Sequence, residues 1–277
     1  MTANFLTAVR TPFIALSTIV LAACATPSAQ DSVDIRGSRT PWPAPALGDL
    51  SPVEREGWRI YRHDQAAWKA TDTLLHDGPG PEGVIGYITD EDGDESVIVR
   101  FLTRCKDRPC SLLDVRVQGD DALIANDLGP LTERQIASWR ARQLAVESGY
   151  RQCSPNYNSV VFETEYRGEP AWRVYLLAAS TQPDVLILAG HHRFLVDRDG
   201  RTMIENEALS NGCLSMRIEQ EIAAPVVTHV LHDTPIETHV FTSLDFRLPV
   251  YVATRTGDFK IEGARIEKLR DRVPDEN

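Results

Sequence analysis

Five cysteines and seven histidines are the side chains of this 277-residue chain best suited to chemistry. Cys213 sits in Ser210-Asn211-Gly212-Cys213-Leu214-Ser215-Met216. A thiolate becomes a nucleophile when a base stands beside it. His192 and its neighbour His191 precede Cys213 by 21 and 22 positions, so Cys213 with His192 is the candidate catalytic pair. His229, His232 and His239 form a second group. On a strand, side chains alternate, so His229 and His232 would face opposite sides and make a poor metal pair. His239 would then lie beside Val230 across a hairpin. A zinc site needs tightly spaced ligand pairs, and no second C-x2-4-C accompanies Cys105-x4-Cys110. The acidic run 90–95 suggests calcium, but Gly93 comes too early for an EF-hand loop and no helices flank it. A solvated hairpin tip is the better reading of that run. No G-x-S-x-G, P-loop, dinucleotide fingerprint or H-E-x-x-H occurs, and no cofactor or metal is expected.

The segment around Cys213 resembles the S-H-G-C-I-R-M signature of L,D-transpeptidases, which cross-link cell-wall peptides through a catalytic Cys. The resemblance implies a Cys nucleophile at 213. It rests on Gly212-Cys213: Asn211 stands where that family has His, Ser215 where it has Arg, and Arg217 comes two positions late. Sixty-four residues follow Cys213, more than that domain normally carries. A Cys213 engaged in a disulfide would attack nothing.

The chain begins with Arg10 and a short apolar run, Phe13–Leu16 and Ile19–Ala23. The run is too short to span a bilayer as a helix, which takes about 20 residues. A basic residue, a short apolar stretch and small residues before a break mark a secretory signal peptide. Leu21-Ala22-Ala23-Cys24 resembles the lipobox of bacterial lipoproteins at all four positions. That resemblance implies cleavage after residue 23 and acylation of Cys24, with two or more chains anchoring it stably. Ala25 rather than Asp follows, which in that family leans toward the outer membrane. Residues 24–50, rich in Ala, Ser and Pro, read as a tether. Trp42 within it either docks on the body or stands exposed.

If Cys24 takes lipid, four cysteines remain in an oxidising compartment, and an even count there suggests disulfides. The favoured pairings are Cys105–Cys110, around a turn containing Pro109, and Cys153–Cys213. The formal charge is −11, which disfavours nucleic acid and, after anchoring, suits a basic partner.

The body, residues 51–271, reads as α+β and predominantly antiparallel sheet, a meander of hairpins with about two helices in the N-terminal half. Ser51-Pro52-Val53-Glu54 and Thr132-Glu133-Arg134-Gln135 are capping boxes that open those helices. In the first, Trp58, Tyr61, Trp68 and Leu75 fall on one stripe and are expected in the core, with a break near His63-Asp64. The second runs over about 133–147, with Ile136, Trp139, Gln143 and Leu144 along one side. Asp92-Gly93 and Asp199-Gly200 lie between alternating runs, a hairpin signal. After residue 150 the pattern is nearly all strand. Val226–His232 and Glu237–Ser243 are expected to pair, with Thr228-His229-Val230 repeated as Thr238-His239-Val240. Residues 51–149 and 150–271 form two parts that pack together, followed by a loose tail, 272–277. Residues 237–254 also resemble segments of proteobacterial envelope proteins, a likeness that carries no function.

The expected activity is therefore that of a periplasm-facing, lipid-anchored protein without catalysis of its own, binding a protein partner as an assembly factor, inhibitor or immunity protein does. The rival is a Cys213-dependent cell-wall enzyme, and a third reading is a structural envelope lipoprotein.

Overall fold

In a computed structural model, residues 39–182, 184–217 and 224–272 are described. The leader, Cys24 and the tail beyond residue 272 lie outside them. Both capping boxes form: the side chains of Ser51 and Thr132 accept from the third helical N–H, and Glu54 and Gln135 accept from the cap N–H in return. They start α1, Pro52–His76, and α2, Glu133–Val146.

α1 runs 25 residues without a break at His63-Asp64. Half of the aromatic stripe is covered: Trp58 and Tyr61 are half-buried against the core. Trp68 and Leu75 are 60% and 51% exposed, and the core side is Ile60, His63, Ala66, Ala67, Ala70 and Leu74. Alanines let the helix lie close on the sheet beneath. That sheet is an antiparallel meander of β1 (Val84–Asp92), β2 (Ser96–Cys105), β3 (Arg108–Gln118) and β4 (Asp121–Ile124). Val97, Val99, Phe101, Val115 and Val117 meet α1 on one face. Ile88 and Leu102 meet Ile136 and Trp139 of α2 on the other. β2 is therefore covered on both sides. Arg100 within it is buried because Asp114 accepts from its Nε and Nη2 at 2.9 and 2.8 Å.

The second sheet is antiparallel in the order β5 (Asn156–Tyr166), β6 (Glu169–Ala179), β8 (His192–Asp197), β9 (Met203–Ala208). Ala137, Ala141 and Ala145 of α2 cover one face, against Val161, Trp172, Val174 and Phe194. Ile60 of α1 and Phe241 cover the other, against Val160, Phe162, Tyr175 and Leu177. Between β6 and β8 comes β7 (Val185–Ile187), which pairs with β10 (Ser215–Arg217).

The third sheet has the order β11 (Val226–Thr228), β12 (Val250–Ala253), β13 (Gly257–Glu262), β14 (Arg265–Asp271), with β11 and β12 parallel. A parallel pair needs a crossover, and here it is α3, Glu237–Phe246. This corrects the expected strand over 237–243: there is no hairpin with residues 226–232, and the repeated Thr-His-Val tripeptides are not strand neighbours. α3 packs through Val240, Leu244 and Phe246 onto Val250, Val252, Phe259 and Ile261. It also crosses α1 so closely that a Cβ at Gly57 would come within 2.5 Å of the Val240 Cβ. That crossing, rather than helix propensity, is why α1 carries a glycine there.

Residues 39–50, read as part of a tether, lie on this body. Trp42 Nε1 donates to Ser243 O at 3.0 Å, and Leu50 is buried. Tyr87 Oη of β1 donates to Ser159 O of β5 at 3.0 Å, and Arg59 of α1 donates to Glu163 O of β5, so the two expected parts are joined in one unit. No helix among the described residues is long and apolar enough to cross a membrane.

Candidate functional site

Cys105 is bonded to Cys110 and Cys153 to Cys213. The first closes the β2–β3 turn. The second joins the segment before β5 to the segment before β10, across 60 residues. It requires a bare backbone at Gly190, whose φ is +98° and where a Cβ would stand 2.4 Å from the Cys153 Cβ. Tyr157 Oη fixes the same corner, accepting from Cys153 N at 2.7 Å and donating to Gly190 O at 3.0 Å.

Beside this corner is a cleft of about 200 Å³. Four chain segments wall it: the turn before β8 with Gly190 and His191, the segment 209–214 with Ser210 and Cys213, β11 and the residues after it with His229, and the first turn of α3 with Thr238 and His239. The backbone locks these together. Gly190 N donates to Ser210 Oγ at 2.8 Å, Leu209 N to His191 O at 3.0 Å, and His229 N to Ala253 O at 2.8 Å.

Three histidines face one another here. His229 and His232 do not oppose each other on a strand, because β11 ends at Thr228. Their rings are parallel, with His229 Nε2 3.0 Å from His232 Nδ1. His239 stands edge-on to His229 with centroids 4.8 Å apart. His232 Nε2 lies 3.1 Å from Glu207 Oε1. A carboxylate only accepts, so Nε2 of His232 carries hydrogen. The chain of contacts continues through Arg193, which donates to Glu207 and Glu237 at 2.6 Å each, to Tyr175 Oη, 2.8 Å from Glu237 and 2.6 Å from Glu56. Burial, then Glu237 and Glu56, pushes the Tyr175 phenol well above its ordinary range, so it stays a donor.

Among the described residues that line the cleft there is no Asp, Glu, Lys or Arg. His191 accepts from Ala178 N at Nδ1, 3.0 Å away, and His239 accepts from Ile236 N at Nδ1, 3.1 Å away. Each neutral ring therefore carries its hydrogen on Nε2. His191 is 3% exposed, and its Nε2 has no hydrogen-bond partner. Burial, then the neighbouring His192, pulls His191 down to about 4. Burial, then His229, His191 and His232, pulls His239 down to about 3. Both are uncharged at neutral pH.

Of the pair singled out in the sequence, Cys213 lines the cleft but its sulfur is bonded to Cys153. His192 points elsewhere: its Nε2 is 3.0 Å from Arg151 O and its ring stacks on Phe194. Strand alternation sends His191, not His192, to the cleft side. His239 was missed as a cleft residue because α3 was read as a strand. Among the described residues no group of three or more His, Cys, Asp or Glu is arranged to hold a metal ion. A wider groove of about 880 Å³ runs past Trp42, Trp58 and Trp68. Its polar side chains largely satisfy one another, as Lys69 does with Asp120 at 2.8 Å and Gln118 with Glu95 at 2.9 Å.

No protein-family model, curated protein or solved structure matches this chain. What the cleft does must therefore be argued from its own groups.

Proposed function

We propose that this chain is an exported, lipid-anchored envelope protein that faces the periplasm and acts by binding, with the histidine cleft as its recognition site. One observation carries the reading: His191 is buried in the wall of a small cleft with a hydrogen-bonding nitrogen that none of the described residues satisfies. Leaving a buried donor unmade costs about 1–3 kcal/mol, which a ligand group can return. Cys213, the one nucleophile the sequence pointed to, is engaged in a bond to Cys153. The leader resembling a lipobox supports anchorage through Cys24, and the outer membrane is the favoured location. The partner presenting the bound group is expected to be a protein, and a net charge of −11 suits a basic one.

A second reading, a Cys213-dependent cell-wall enzyme, is favoured by one fact: Cys213 and His191 line the same cleft. It needs the Cys153–Cys213 bond opened. Thiol titration of the mature protein, denatured without reductant, separates the two. No free thiol is expected under the binding reading, while a reactive thiol at Cys213 in protein taken from its native envelope supports the enzyme. Gentle pull-down from envelope extract should recover a partner that is lost when His191 is replaced by Phe.

A further inference from the structure

Resting on the reading of the cleft as a binding site, we propose that the group it takes is a carboxylate of amino-acid size, held by the Nε2–H groups of His191 and His239. The two nitrogens of each ring are not equivalent. Each Nδ1 is already used as an acceptor by a main-chain N–H, from Ala178 for His191 and from Ile236 for His239. Moving the ring hydrogen to Nδ1 would break that bond. Both rings are thereby fixed as Nε2–H donors, and the Nε2 of His191 has no partner. A donor fixed in this way calls for an acceptor.

Among the described residues the wall supplies no charged acceptor of its own. From β8 the ionisable neighbour of His191 is His192; from α3 it is His239; from the segment after β11, His229 and His232 face His239. None is acidic. The nearest carboxylates in the network, Glu207 and Glu237, are engaged by Arg193 at 2.6 Å. The first turn of α3 contributes Thr238 and His239, so the positive end of that ten-residue helix lies at the wall, partly offset by Glu237 in the same turn. An anion entering here meets hydrogen-bond donors, and the nearest opposing charge, Glu237 behind His229, is engaged by Arg193.

The same setting has the rings bind a carboxylate in their neutral form. Nδ1, the one ring nitrogen that could take a proton, already accepts from a main-chain N–H, and burial penalises the cation. A cavity of about 200 Å³ has room for acetate or the last residue of a peptide, and not for a sugar chain. Free small acids and chain ends share this chemistry.

The test uses the oxidised mature chain and its histidine side-chain nitrogen NMR signals, with four probes: acetate, a tripeptide with a free C-terminus, the same tripeptide amidated, and zinc chloride. The expected result is that acetate and the free tripeptide shift the Nε2 signals of His191 and His239 and saturate, that the amide does neither, and that affinity stays level from about pH 7.5 to about pH 5.5, where both rings are neutral. Acetate binding without tripeptide binding assigns the site to free acids, and tighter tripeptide binding assigns it to chain ends. His191→Phe should weaken acetate about tenfold or more, the scale of a hydrogen bond to a charged group. Should that variant misfold, the wild-type spectra decide the matter. If the amide or zinc shifts these rings as well as acetate does, the cleft remains a binding site and the carboxylate assignment falls. If none of the four probes moves them, both the assignment and the binding reading fall.

Discussion

His63 and His191 are both buried rings whose Nε2 makes no hydrogen bond, yet their surroundings differ. His63 sits between α1 and β1. Its Nδ1 meets Thr89 Oγ1 at 2.7 Å, its Nε2 is 3.5 Å from Glu91 Oε1, and Arg59 grips that carboxylate through two contacts of 2.7 Å. Burial keeps His63 neutral, so the Arg59 fork is what holds Glu91 ionised, its carboxyl well below the usual range despite partial burial. Here each group answers another within the protein, and the cluster ties α1 to the first two sheets. Among the described residues no acid lines the cleft beside His191, and its Nε2 is buried without a hydrogen-bond partner. The first arrangement satisfies a histidine within the fold, and the second leaves a donor unmade.

The largest expected effect comes from undoing the corner that shapes the cleft. Gly190→Ala puts a methyl group against Cys153 in a left-handed conformation. It should prevent the Cys153–Cys213 bond and cost the roughly 4 kcal/mol that a loop of this length contributes through chain entropy. Two free thiols and a lower melting temperature would register it; an oxidised, equally stable variant would contradict the packing described.

Acid comes next. His191 and His239 are depressed to about 4 and about 3 in the folded chain, whereas an unfolded chain binds their protons near pH 6.5. The unfolded state thus holds more protons, so stability is greatest above about pH 6.5 and falls as pH drops toward those values, by about 3 kcal/mol for His191 and about 5 kcal/mol for His239 at the limit. Urea midpoints measured across that range should fall, and His191→Phe should flatten the slope. His63 is shifted in the same direction, so the comparison requires that removing it flatten the slope too, while acetate protects only the cleft rings.

Smaller still is Glu91→Gln, which weakens the Arg59 fork. Glu91 is one-third exposed, so solvent screening limits the loss to about 1 kcal/mol. Acetate binding should be unchanged, as this cluster lies outside the cleft. Smallest is Glu207→Gln. It should barely alter the melting temperature, yet the nitrogen signals of His232 and His229 should shift as the charge that holds the His232 hydrogen on Nε2 disappears.

Much of the scaffold is legible in the amino acids because its signals are local. Ser51, Thr132 and the Asp-Gly turns act within four residues, and each element they imply is present. α3 was illegible for a physical reason. All ten of its residues are buried, so it needs no polar face and shows no helical period, and its β-branched and aromatic side chains imitate a strand. The α1 stripe misled in the opposite way, since large aromatics drew attention from the small residues that make close contact. The cleft inherits both problems. Gly212-Cys213 marked one wall, but the other walls come from segments brought together by a helix that sequence pattern does not reveal.

The N-terminal segment is held by the far end of the chain. Trp42 bonds to Ser243, Glu54 Oε1 accepts from Ile266 N at 2.7 Å, and Arg265 donates to Asp49 O. Contacts separated by more than 200 positions cannot form while the polypeptide is still emerging from a ribosome or a translocation pore. The first residues to arrive must wait, unclasped, for the last. A polypeptide cut short just before Ile266 would therefore lose the clasp on its own beginning, and proteases should reveal this by trimming near residue 50 long before they reach the central sheets.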